Sequence, residues 1–66
     1  MSLKSVVITG INGVELKNPK VFIGWIVDFI SPEYVGDPTK AKFMLEPEAE
    51  SVVRSLHSRG FSAKVV

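Results

Sequence analysis

Ten consecutive residues constrain this chain more than any others. Val21 to Ile30, VFIGWIVDFI, is its most apolar segment. Side chains alternate across a strand, so Val21, Ile23, Trp25, Val27 and Phe29 point one way while Phe22, Gly24, Ile26, Asp28 and Ile30 point the other. Both sets are largely hydrophobic, the pattern of a central strand covered on both faces rather than one with a face in water. The segment therefore demands two covering layers.

The rest of the chain supplies one. Pro47 at a first helical position, Glu48 and Glu50 in the first turn and Gly60 beyond the end frame a helix from about Pro47 to Arg59. Its residues Ala49, Val52, Val53 and Leu56 follow i, i+3, i+4, i+7 spacing and form a single apolar stripe. No second helical pattern is present to cover the other face.

The remaining pieces read as strands and turns. Ser5 to Ile11 is rich in Val, Ile and Thr, and Asn12-Gly13 after it is a strong hairpin signal. Val14 to Leu16 is expected as a short returning arm, and Lys17 to Lys20, with Pro19, as a second turn. Ser31 to Lys40, SPEYVGDPTK, carries turn chemistry throughout. Lys40 to Leu45 alternates, with Ala41, Phe43 and Leu45 expected inward and Lys40, Lys42 and Met44 outward. Phe61 to Val66 alternates again, with Phe61, Ala63 and Val65 inward. The expected fold is α+β: a small antiparallel or mixed sheet of three to five strands with one helix on one face, in the order β-β-β-α-β. Residues 1–66 are read as one domain.

Size adds a constraint. A 66-residue domain buries only about 60% of the surface its unfolded chain exposes and is marginally stable alone. The sequence has no Cys and a single His, so disulfides and a structural zinc site are not expected as staples. A second copy of the chain is the remaining common staple, and a two-fold mate is the simplest cover for the second apolar face.

Functional motifs are sparse. SVVITGING, Ser5 to Gly13, resembles the strand and Gly-rich turn of a dinucleotide site, with Gly10, Gly13 and Asp28 in suggestive places. Leu16 stands where the third glycine belongs, however, and Pro19 prevents the helix that would hold a pyrophosphate. The segment is read as a hairpin, and no cofactor is expected. His57 with Ser51, Ser55 or Ser58 is the one nucleophilic pairing the composition allows, and all four lie on one short helix. Asp28, Glu33 and Asp37 lack the spacing of a calcium loop, so no metal is expected.

These readings lead to a non-catalytic interaction or regulatory protein that works as a homo-oligomer, expected to be a dimer, and binds another macromolecule, most simply a protein. Phe22, Trp25, Ile26, Ile30 and Tyr34 are the expected interface residues. A first alternative is a single-stranded nucleic-acid binder, with Lys40, Lys42 and Lys64 as a basic stripe on neighbouring strands beside an outward Phe22 or Trp25. The near-neutral balance, eight basic against seven acidic side chains, gives that alternative little electrostatic drive. A second alternative is a small-ligand regulatory domain with a pocket between subunits. The longest apolar run is too short to span a bilayer and no leader pattern is seen, so no membrane partner and a cytoplasmic location are expected.

Overall fold

The computed structural model describes residues 2–26 and 31–66. The chain forms strands β1 (Val6–Ile11), β2 (Val14–Ile26) and β3 (Ser31–Val35), a 3-10 turn (Pro38–Lys40), helix α1 (Glu46–Ser58) and strand β4 (Phe61–Val65). The strands make one antiparallel sheet in the order β3-β2-β1-β4. This is the expected α+β fold with its expected element order. Asn12 and Gly13 both take positive φ, 52° and 81°, as a tight hairpin turn of the I′ kind requires.

α1 lies against β4 and β1 and seals the core. Ala49, Val52 and Leu56 from the helix meet Val6, Ile8 and Phe22 from the sheet and Met44 from the segment before the helix. The helical stripe read from the sequence is the buried one, with Val53 half-buried beside it. Glu46 and Glu48 lie in the first turn, where the helix dipole favours negative charge. Arg59 and Gly60 close the last turn through bonds from their N–H groups to the Leu56 and His57 carbonyls, 3.0 and 3.1 Å.

Four expectations about local structure are corrected. Lys17 to Lys20 is not a turn, because β2 runs unbroken from Val14 to Ile26. Between the pairs Ile8↔Lys20 and Gly10↔Glu15, β1 supplies only Thr9 while β2 supplies Leu16 to Pro19. That irregularity gives Pro19, which has no N–H, a place outside the regular ladder. Ser31 to Val35 is an edge strand rather than part of a loop, since an edge tolerates Pro32 and the β-forming Tyr34 and Val35 supply the pairing.

The third correction concerns the long strand. The register of β2 against β3 shifts between Phe22↔Tyr34 and Gly24↔Glu33, leaving Ile23 as the extra residue of a bulge. One extra residue reverses the alternation beyond it. Phe22 and Trp25 thus meet on one side, their rings 5.2 Å apart and edge to face. The parity split assigned them to opposite faces.

The fourth concerns residues 40–45, which form no strand. Lys40 ends the 3-10 turn, and Met44 makes an isolated bridge to Lys4 through two main-chain bonds of 2.7 and 2.8 Å. The Lys42 N–H donates to the Phe22 carbonyl at 3.1 Å. The segment thus takes a place beside the start of β1, next to β2 at its bulge. Its expected orientation is reversed: Met44 is buried at 4% exposure, while Phe43 and Leu45 stand 60% and 48% exposed. Met44 fills the core position because it shares a face with Lys4 and hence with Val6. Val27 to Ile30 lies outside the described residues, and with it Asp28 and the interface candidate Ile30.

Candidate interaction surface

The sheet has two unlike faces. The helix side carries the core. On the other side, the pairs Val7↔Val21 and Val21↔Val35 set three valines in a row across β1, β2 and β3, and Lys64 continues the row opposite Val7 on β4. Val21 is buried although it stands outside the core cluster.

Apolar side chains gather farther along the same face. At the isolated bridge Lys4↔Met44, Leu3 and Ser5 flank one partner and Phe43 and Leu45 the other. Ser5 and Val66 exchange two main-chain bonds, 3.1 and 2.9 Å, which places Val66 on the other flank of Ser5. Alternation turns these residues away from Met44 and Val65, which pack on the helix side. Leu3, Phe43, Leu45 and Val66 are all about half exposed or more, and they account for most of the exposed large hydrophobics among the described residues.

The residues expected to form the interface are placed differently. Phe22 is 1% exposed and belongs to the core, so it offers no surface to a partner. Trp25 and Tyr34 are half-buried against that core. The Trp25 ring lies 4.9 Å from the Arg59 guanidinium, and Tyr34 meets Phe61 edge to face at 5.8 Å. Ile26, at 44% exposure, is the one expected interface residue that is both described and open. The outer patch of Leu3, Phe43 and Leu45 was missed in the sequence. No signal within residues 40–45 could have found it, since apolar residues stand at both parities there.

The three lysines do not form one stripe. Lys40 sits on the 3-10 turn, Lys64 on the outer face and Lys42 in a groove on the helix side. That groove, about 360 Å³, runs between α1 and β2 and is lined by Trp25, Lys42, Glu48, Ser51, Ser55 and Arg59 among others. Its far end is fixed by the Arg59 Nη1, which donates to the Ser55 carbonyl at 3.0 Å.

His57, Ser58 and Asp37 each make a local hydrogen bond. His57 Nε2 donates to the Ala63 carbonyl at 3.3 Å, and Ser58 Oγ donates to the Ser55 carbonyl at 2.8 Å. Hydrogen bonds from the Thr39 hydroxyl and then the Thr39 N–H hold the Asp37 carboxyl below its ordinary pKa. That arrangement caps the 3-10 turn. Among the described residues, no group of three or more His, Asp and Glu side chains gathers to hold a metal, and no helix is long and apolar enough to cross a membrane. No family model, curated protein or solved structure matches the chain.

Proposed function

We propose that this protein is a non-catalytic interaction module that works as a self-associated homo-oligomer, most simply a dimer, and in that form binds another macromolecule. The observation that carries the reading is the one-sided cover of the sheet. α1 seals one face, no described helix packs on the other, and that other face carries seven apolar side chains: Leu3, Val7, Val21, Val35, Phe43, Leu45 and Val66.

Stability points the same way. Among the described residues the core consists of Val6, Ile8, Phe22, Met44, Ala49, Val52 and Leu56, in a chain without cysteine. A core of this size supplies only about 3–5 kcal/mol, and covering a second apolar face adds to it by mass action. The non-catalytic part is supported by His57, whose described hydrogen bond is to a main-chain carbonyl rather than to a serine hydroxyl. With Lys40, Lys42 and Lys64 dispersed, no basic stripe supports the nucleic-acid alternative.

Light scattering on the purified protein from roughly 1 to 100 μM tests the reading. The expected result is a mass twice the 7.2 kDa of one chain over the upper part of that range. A mass of one chain throughout contradicts it.

A further inference from the structure

We infer that two copies associate face to face through the outer side of the sheet, with Leu3, Phe43, Leu45 and Val66 at the centre of the contact and both helices pointing away from it. The inference rests on the self-association proposed above and adds which surface carries it.

Three observations select this surface and this occupant. The first is area. The four exposed side chains present on the order of 400 Å², within the range of the largest apolar patch on a monomer, which is often functional. A standard interface takes about 800 Å² from each partner. Half-buried Val7 and Val35 add to the patch, whereas Val21, at 7% exposure, adds almost nothing, and the standard figure is under a fifth of the 4414 Å² that one chain exposes.

The second is self-complementarity. A two-fold contact sets a patch against itself, so a charged patch repels its mate while an apolar one matches it. Lys4, Lys42 and Glu46 each adjoin a patch residue in sequence. Lys4 shares a face with Met44 on the helix side, Lys42 lines the helix-side groove, Glu46 opens α1, and Lys64 stands at the rim.

The third is the state of the sheet edges. Edge-to-edge pairing is the other common way for such sheets to associate. β3, one edge, contains Pro32, which has no N–H to donate. On β4, the other edge, the His57 ring already occupies the Ala63 carbonyl. Each edge thus carries one obstacle to pairing, Pro32 on β3 and the occupied Ala63 carbonyl on β4, and the outer face carries none of that kind.

The test compares Phe43→Asp and Ile26→Asp with the unaltered chain by light scattering, with circular dichroism to confirm that each variant is folded. Phe43→Ser serves as a second variant should the aspartate impair folding. The expected result is a dimer for the unaltered chain and for Ile26→Asp, with Phe43→Asp weakening association at least about 100-fold, because the two introduced charges face each other across the axis. A dimer that survives both Phe43→Asp and Phe43→Ser overturns the face-to-face contact while leaving self-association standing. Loss of the dimer in Ile26→Asp alone moves the contact to the far end of β2 and also overturns it. A monomeric unaltered chain removes the underlying reading.

Discussion

The two faces of the sheet draw on the same residue types and treat them oppositely. On the helix side, Val6, Ile8 and Leu56 lose all contact with water. On the outer side, Leu3, Phe43, Leu45 and Val66 keep about half of their surface or more in water. Hydrophobicity alone does not separate the two groups, since Phe43 is as apolar as Phe22. The separation comes from main-chain pairing: the Lys4↔Met44 bridge turns Met44 inward and Phe43 outward, and the bulge at Ile23 brings Phe22 and Trp25 to the same side. An apolar face arises here from register as much as from composition.

Substitutions on the two faces should therefore differ in kind as well as in size. The largest effect belongs to the helix side. Leu56→Ala removes a fully buried side chain, for a loss of about 3–4 kcal/mol. That is comparable with the whole stability of a domain this small, so urea unfolding monitored by circular dichroism should find the variant largely unfolded.

An intermediate effect is expected at Gly60, where both faces depend on how β4 leaves the helix. Gly60 holds φ at +88°, and an added Cβ would lie 2.6 Å from the Asn12 side-chain oxygen. The Asn12 N–H donates to the Gly60 carbonyl at 2.7 Å, tying the first hairpin to the start of β4. Gly60→Ala should cost about 1–2 kcal/mol in the same unfolding measurement.

The smallest effect on the isolated fold is expected on the outer face. Phe43→Ser exchanges a side chain already 60% exposed, so the stability of the monomer should change by less than about 1 kcal/mol. Its consequence should appear in the concentration dependence of unfolding. Destabilisation by several kcal/mol at high dilution would place Phe43 in the monomer's own core and break the contrast between the faces.

The sequence made part of this architecture legible. α1 and its stripe of Ala49, Val52, Val53 and Leu56 were readable because helical spacing tolerates small errors in the boundary. The Asn12-Gly13 turn was readable because few residue pairs accept two successive positive φ values. β4 was readable because its alternation runs without interruption. The orientation of β2 was not, because a bulge at Ile23 leaves composition unchanged while reversing everything beyond it. Residues 40–45 failed for a related reason: Lys-Ala-Lys-Phe-Met-Leu holds apolar residues at both parities, and only the tertiary bridge to Lys4 chooses between them.

The candidate surface inherits both errors. Phe22 and Trp25 are both interface candidates in the sequence because parity does not say which face of the long strand is outward, whereas the bulge draws Phe22 into the core and Trp25 against it. Phe43 and Leu45 were assigned to the core on the strength of an alternation that the structure reverses. The expectation of a second covering layer came from Val21 to Ile30, of which Val27 to Ile30 lies outside the described residues, whereas the exposed outer patch is drawn from Leu3, Phe43, Leu45 and Val66.

The most direct measurement is an isotope-filtered NOE experiment on an equal mixture of labelled and unlabelled chains, which detects contacts between copies. The account predicts intermolecular signals from the Phe43 ring to the methyl groups of Leu3, Leu45 or Val66 of the other copy. Intermolecular signals confined to the helix-side groove or to the edges at β3 and β4, or none at a concentration of about 1 mM, would contradict it.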